Sequence, residues 1–596
     1  MKKELLFVTL LLVTALNVAA QLTIGGTRPV YDSLTGTYML TVPESAFGDS
    51  YQAPVVLDAG VSMVRINGHE VTDSVSFPLI SADASYSFTF ITNGQTKTSS
   101  IHFTYLPILC LTGTFSDDYV VAPVEIIMPD GQGSKQYRAR IKRAGSSTNG
   151  QWVYKRSFHV KFIDDNGEKM DVSFFGFRND NHWRLDAGTV DMIRFRNHVA
   201  CGLWADFGTK PYYADKEPKA RSSVRGSHVE VFMNGKYHGF YNFTEFLDRK
   251  QMKLKKYGEV PVVDDQGNPT DQSAVEFHGQ MWKAFETTYQ TLFFGVGGPM
   301  NNNVSDWGCF SVEYPDFDEV HPTDYTVLYN AVAFVGRSTA EEFEQRLDEY
   351  FDVPVLVDYY LFLNVLMAID NACNNMVLAC YDSSVDKKIT LAMWDLDATA
   401  GQCFSDMVGF YHAPELQPEV DLADVPENLT KFSKSRLFSK LRAMPSFQQS
   451  VIKRYWQLRQ TILQPDSLVA RYEAVYKRLE TCGALARESQ RWSGIDELDY
   501  HNLVFDEEFE YLSDWLRRRI AFLDNNTFAC LRGDVNDDQS VNISDAIMLI
   551  YVMLNETEPD GFNSVNADVN ADGDININDV IQLINIIVNS PKRGAE

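Results

Sequence analysis

At 596 residues, with 80 acidic against 53 basic side chains and a formal charge of −27, the chain is too long for one domain and strongly acidic. Two to four domains are expected, and nucleic acid or an anionic membrane surface is disfavoured as a partner. An apolar share of 45% is that of a globular protein, and an acidic balance suits a calcium-exposed extracellular setting.

The first residues, MKKELLFVTLLLVTALNVAAQ, place two lysines before an apolar run and end in Val18-Ala19-Ala20. This predicts a secretory signal peptide over 1–20, with the mature chain secreted, extracellular or held at the cell surface by a docking partner. The run is short for a membrane span, and no later stretch is long and apolar enough for one. Eight cysteines, at 110, 201, 309, 373, 380, 403, 482 and 530, contain no CxxC and read mostly as buried thiols rather than a zinc site or a disulfide framework.

Residues 21–105 carry short alternating runs (YMLTV, SMVRI, SYSFTFIT) broken by Gly, Asn and Pro, which predicts an all-β sandwich-like domain serving as a spacer or packing unit. From Val121 the pattern changes. A basic strand over 137–143 leads into a Gly/Ser turn containing Ser146 and Ser147. A second strand, Tyr154 to Phe162, carries Lys161. A strand, a small-residue turn and a strand with a central lysine can cover nucleotide phosphates; such a lysine is also common as a solvated surface charge.

Residues 183–206 predict a helix, with Met192, Phe195, Val199 and Leu203 near one face and Asp191 close to its start. Asn234-Gly235 between alternating runs predicts a type I′ hairpin over 228–245, ending at Glu245. A strand is expected at 310–316, a helix at 339–350, and further helices across 430–525.

Between them an apolar run ends at Asp370, Asn375 follows five positions on, and Trp394-Asp395-Leu396-Asp397 closes a strand. Asp, Asn and a later Asp in this order can supply a proton acceptor and hard oxygen ligands for Mg²⁺. The same residues also read as an N-capping Asp and a solvated turn.

Together these stretches resemble the spore-coat-protein-H (CotH) kinase family over about residues 110–525. The matching residues are Arg143-Ala144-Gly145-Ser146-Ser147, Lys155 to Phe162, Trp183-Arg184-Leu185, Arg196-Asn197, Val229 to Glu245, Asp370 to Asn375, and Trp394-Asp395-Leu396-Asp397-Ala398-Thr399-Ala400-Gly401. The resemblance implies an α+β, atypical protein-kinase-like domain over 106–530 that moves phosphate from ATP, with Mg or Mn, to Ser or Thr of a protein. Asp370 would be the catalytic base, with Asn375 and Asp395 metal ligands and Asp397 a second candidate. Lys161, with Ser146 and Ser147 in the turn, would meet the phosphates. Asp191 would be the orienting acid, and Glu245 would lie at the hinge. The chain departs from the family pattern at Ala144, where Asn is usual, and at Ala400, where an aromatic is common. A non-catalytic pseudokinase scaffold is therefore the alternative, and scarce extracellular ATP adds weight to it.

Residues 534–545 (DVNDDQSVNISD) and 568–579 (DVNADGDININD) place oxygen side chains at loop positions 1, 3, 5, 9 and 12, each followed by an apolar helix. That is the ligand spacing of EF-hand-type calcium loops. Two such repeats resemble a dockerin, which implies a small α-helical, EF-hand-like module over 531–590 that holds two Ca²⁺ and plugs into a cohesin-bearing partner. The ligands are Asp534, Asn536, Asp538, Asn542 and Asp545, then Asp568, Asn570, Asp572, Asn576 and Asp579, with carbonyl oxygens from Ser540 and Asp574. Gln539 stands where the sharp turn prefers Gly, which predicts a weaker first site. The dockerin also suggests a third alternative, a component of an extracellular polysaccharide-degrading assembly.

Overall fold

The computed structural model describes residues 22–92, 94–145, 154–264, 266, 268–402, 412–494, 503–538 and 540–589. The expected signal peptide, Ser146, Ser147, Cys403 and Gln539 lie outside the described residues. The chain divides into two compact units. The first holds the N-terminal part through His198, with Arg225–Phe246 and Glu473–Phe509; the second holds Val199–Val224, Leu247–Tyr472 and the chain from Glu510.

In the first unit, alternation of apolar and polar residues sends every second side chain inward. Leu22–Ile24, Tyr51–Leu57 and Ser74–Phe77 form a three-stranded sheet, and a six-stranded sheet contains Thr37–Thr41, Tyr86–Thr92 and Gln95–Thr104. Both sheets share one core of Leu40, Val64, Phe77, Phe88, Ile101 and Phe103. The β-rich N-terminal region expected from the sequence is present.

Seven strands then close a barrel: Ile108–Leu111, Val120–Ile127, Ser134–Ala144, Ser157–Ile163, His182–Asp186, Lys236–Glu245 and Gly226–Met233, in that spatial order. Ile141, Val160, Phe162, Trp183, Leu185, Val231 and Phe243 fill it. The hairpin is as expected: Met233 pairs with Lys236, and Asn234 and Gly235 both have positive φ, 51° and 72°, as a type I′ turn requires.

The helix expected over 183–206 is corrected. Residues 182–186 are a strand and the helix is Arg196–Phe207. Trp183 and Leu185 are both fully buried in the barrel, a period of two that overrides the helical spacing further on. Asp191 therefore precedes the helix by a turn. Its carboxylate accepts from the Arg196 N–H at 2.6 Å and from Arg196 Nη1 at 2.6 Å, and anchors the helix start.

Helix Ala484–Trp492, which the pattern of 430–525 did not single out, is clamped to the barrel by buried charge. Lys155 Nζ donates to Glu488 Oε1 at 2.6 Å and to the Phe240 carbonyl at 2.8 Å, and Arg194 Nε lies 3.3 Å from the same Glu488 oxygen. All three side chains are almost completely buried. Burial pushes the Lys155 ammonium down to about 8 against the pull of Glu488.

In the second unit, helix Val353–Leu366 is largely apolar and nearly all of it is buried, Asp358 and Asn364 included. Side chains of this kind contribute about 1.5–3 kcal/mol each when fully buried. A five-stranded sheet is ordered Asp306–Trp307, Phe310–Tyr314, Gln280–Ala284, Val377–Cys380, Thr390–Ala392. The helix expected near 339–350 spans Ala340–Tyr350 and opens with a capping box between Thr339 and Glu342. Helices Arg436–Arg442, Pro445–Arg459, Pro465–Thr481 and Phe505–Asn525 are followed by a small helical module, Ile543–Asn555, Ser564–Ala567 and Ile577–Asn589, with its own core of Val535, Leu549, Val569, Val580 and Leu583. The seven described cysteines are free thiols. No described helix is long and apolar enough to cross a membrane.

Removing one partner of a buried pair leaves the other charge unpaired, at a cost of about 3–5 kcal/mol. Lys155→Met is expected to lower stability by about 3 kcal/mol, the low end because Arg194 remains. Combined with Glu488→Gln, which also takes the carboxylate from Arg194, the total loss in urea unfolding should fall short of the sum of the two single losses by at least about 1 kcal/mol. Purely additive losses would show that the pair does not clamp the helix.

Candidate functional site

The sequence-derived site residues of the second unit are set by two paired strands. Val377–Cys380 and Thr390–Ala392 are antiparallel, with Val377 opposite Ala392. Asn375 lies two residues before the first strand and Asp395 three residues after the second, so the register brings both to the same end of the pair. Each has positive φ, 49° and 57°, a backbone that asparagine and aspartate adopt more readily than other side chains.

Asp370 arrives from a different element. The apolar helix stops at Leu366, Met367 takes a left-handed conformation, and Asp370 sits in the short turn Ile369–Ala372. Three hydrogen bonds fix that turn: Tyr359 Oη to the Asn371 carbonyl at 2.8 Å, Asn371 Nδ2 to the Trp394 carbonyl at 2.7 Å, and Thr430 Oγ1 to the Ile369 carbonyl at 2.8 Å. The second of these ties the Asp370 turn directly to the Asp395 loop.

Both oxygens of Asp370 are held. Asn374 Nδ2 donates to Oδ1 at 3.0 Å and Asn375 Nδ2 to Oδ2 at 2.6 Å. Burial pushes its carboxyl above the usual carboxylate range, and the charge of Asp395 adds to the rise while the two amides oppose it. Asn374 was not singled out in the sequence, although the Asn374-Asn375 doublet was visible there. Its Oδ1 is buried with no hydrogen-bond partner. An acceptor oxygen without a donor, beside two carboxylates that repel each other, fits a small hard cation. Among the described residues no three His, Cys, Asp or Glu side chains gather into a ready-made metal cluster; two of the four residues gathered here, Asn374 and Asn375, are amides.

The loop after Asp395 is stitched to the helix end. Thr399 N–H donates to the Asp397 carbonyl at 3.0 Å and Ala400 N–H to the Leu366 carbonyl at 2.7 Å. Ala400 is completely buried with φ 51°. Gly401 has φ 83°, and a Cβ there would lie 2.4 Å from Tyr511 Oη, on a ring stacked with His412.

Lys161, Asp191 and Glu245 belong to the first unit. Lys161 is half-buried on the outer face of its strand, opposite Arg140 and His182, with its ammonium 4.9 Å from the Tyr119 ring. Burial pushes Asp191 up, against the pull of Arg196. Glu245 is buried at the end of its strand and accepts from Arg225 Nη2 at 2.7 Å and from the Arg178 N–H at 3.1 Å. Burial pushes its carboxyl up, yet these donors outweigh it and hold it below its ordinary value.

The two C-terminal loops repeat one another bond for bond. Asp545 accepts from the N–H groups of Asn536 (3.1 Å) and Asn542 (2.8 Å), and Asp579 from those of Asn570 (3.1 Å) and Asn576 (2.8 Å). Asp534 accepts from Asp538 N–H at 3.0 Å and Asp568 from Asp572 N–H at 3.1 Å. Asn542 and Asn576 turn their Nδ2 groups to the carbonyls of Ser540 and Asp574. Asp545 and Asp579 are completely buried. Burial pushes Asp568 up, and the charges of Asp579 and Asp572 push the same way. Carboxylates at loop positions 1, 5 and 12, with amide and carbonyl oxygens between them and no cation of the chain among the loop ligands, fit Ca²⁺ in residue type and spacing.

A family profile described as CotH kinase protein matches residues 141–523, and one described as dockerin type I domain matches 532–588. No curated protein matches the chain. Among solved structures, titin Ig tandem domains align at 12% identity over 25% of this chain and 91% of that one, with a TM-score of 0.09 that carries no argument.

Gly401→Ala puts a side chain into a left-handed backbone against Tyr511. It is expected to destabilise the chain by at least about 1 kcal/mol, read as a lower thermal midpoint; an unchanged midpoint would contradict this geometry.

Proposed function

The chain belongs to the CotH kinase protein family and carries a dockerin type I domain at its C-terminus, and from that premise we propose that it transfers phosphate to Ser or Thr of a protein partner while docked in a larger assembly. The observation that carries this reading is the hold on Asp370. A carboxylate fixed at both oxygens by Asn374 and Asn375, and raised by burial and by Asp395, is suited to accept a proton from a hydroxyl.

The residues present fit a divalent metal. Asn375 and Asp395, with Asp397 as a further candidate, offer the carboxylate and amide oxygens that Mg²⁺ or Mn²⁺ prefers. ATP with that metal would supply the phosphoryl group and offset its charge. Ser146 and Ser147 come in sequence between the third and fourth barrel strands, Ser134–Ala144 and Ser157–Ile163, and Lys161 lies on the fourth. This order supports a role for them at the nucleotide phosphates. Glu245 ends the last strand before the chain leaves the first unit, where a hinge contact is expected. Asp191, the proposed orienting acid, is engaged with Arg196.

The dockerin supports calcium-dependent attachment to a cohesin-bearing partner outside the cell, with the expected signal peptide as the route of export. Its two long helices present Ile543, Ile547, Tyr551 and Leu554, and Ile577, Ile581 and Val588, to solvent, apolar faces that a partner would cover.

The test is phosphoryl transfer from γ-labelled ATP with Mg²⁺ or Mn²⁺ to a mixed Ser/Thr peptide library. Loss of the general base typically costs 10²–10⁴-fold, so Asp370→Asn is expected to lose at least about a hundredfold. The wild-type acid limb should lie above the ordinary carboxylate value of about 3.9, because a base must be ionised and Asp370 is raised: activity is present above its pKa and falls as pH drops through it. Undiminished labelling by Asp370→Asn would rule out this base, and no labelling by the wild type would favour a scaffold.

A further inference from the structure

The segment that joins the dockerin to the rest of the second unit is packed, not loose. Phe528 is completely buried, with its ring 4.8 Å from that of Tyr455, and its carbonyl accepts from Trp456 Nε1 at 2.9 Å. Both aromatic residues belong to helix Pro445–Arg459. That helix is itself fixed to Phe505–Asn525: Tyr455 Oη donates to Asp524 at 2.6 Å, and Arg459 makes two bonds of 2.8 Å to the same carboxylate.

Arg532 stands at the junction. Its guanidinium lies 4.5 Å from the centre of the Trp456 ring, within cation–π range. Its Nη1 donates to the main-chain oxygen of Asp568 at 3.0 Å. Asp568 is position 1 of the second loop. The next residues hold the module together: Gly533 N–H donates to the Asn566 carbonyl at 2.8 Å and Asn566 Nδ2 to the Asp534 carbonyl at 2.9 Å, so position 1 of the first loop is tied to the turn that leads into the second. Helix Ser564–Ala567, immediately before Asp568, packs against Pro445–Arg459.

We infer that loading of the second loop with a divalent cation and seating of the dockerin on helix Pro445–Arg459 are one coupled event, joined through Arg532 between the Asp568 backbone and the Trp456 ring. The physical chain is short. Without a cation the carboxylates of Asp568, Asp572 and Asp579 repel one another, which works against the loop bonds from the Asp572 and Gly573 N–H groups that keep the Asp568 backbone where Arg532 meets it. With the cation the loop is fixed, the Asp568 carbonyl is presented to Arg532, and the guanidinium is held over the Trp456 ring. Coupling is reciprocal: whatever the cation does for the seat, the seat does for cation affinity. The metal-loaded dockerin is then a fixed projection that presents its exposed helices in one orientation, and the stripped one is a tether.

This inference rests on the calcium reading of the loops, and the experiment separates the two. The full chain, stripped with a chelator and then titrated with CaCl₂, is followed by calorimetry and by hydrogen exchange, for wild type, Arg532→Ala and Arg532→Lys. Calcium is expected to slow exchange around Trp456 in the wild type by about fivefold, the size of effect one exposed-to-intermediate cation–π contact gives. In Arg532→Ala that slowing should vanish and one of two calcium sites should weaken by a similar factor, with Arg532→Lys in between. Slowed exchange in the loop peptides with none around Trp456, or full coupling in Arg532→Ala, overturns the inference alone. No response in the loops themselves overturns the calcium reading and the inference with it.

Discussion

The antiparallel pairing of Val377–Cys380 with Thr390–Ala392 is the constraint on which the candidate site depends. Shifting that register by one residue would reverse the faces of both strands and part Asn375 from Asp395. Burial keeps it in place, since every residue of both strands is buried. The Asn371 amide then carries the constraint to a third element by bonding the Trp394 carbonyl. Three separate pieces of chain thus converge on Asp370 without any of them needing a rigid loop of its own.

The same economy appears in the first unit, where ionic contacts far from solvent do the fastening. Asp191 joins Arg196, which reaches on to Glu508 at 2.7 Å. Lys155 and Arg194 share Glu488. In each case a residue from the late helices is bound to the segments flanking the barrel strands, although two hundred or more positions separate them in sequence. Such pairs define one arrangement more than they add stability, because desolvation offsets much of their attraction.

How much of this was legible depended on whether a signal was local. The hairpin at Asn234-Gly235 and the repeated dockerin loops were readable because their residue types and spacings are set within a dozen positions. The order of Asp370, Asn375 and Asp395 was readable as a pattern, but what holds Asp370 was not: Asn374 looked like a neighbour of the interesting residue and proves to be one of its two supports. Lys155 was hidden for the opposite reason. It stands six residues before Lys161 in the same stretch, and only the tertiary position of Glu488 distinguishes the buried lysine from the half-buried one. The helix expected from residue 183 failed because Trp183 and Leu185 fill a barrel, where a period of two wins over a weaker period of 3.6.

We propose that the Asp395 end of the strand pair holds a metal and, with it, a nucleotide. Titrating ATP with Mg²⁺ or Mn²⁺ into the full chain and following thermal stability tests it most directly, beside Asp395→Ala. Ligand at a hundred times its Kd should stabilise the fold by about 2.7 kcal/mol, with either metal required and the effect absent in the variant. A shift that persists in Asp395→Ala, or no shift with either metal, would rule out a metal–nucleotide site at Asp395.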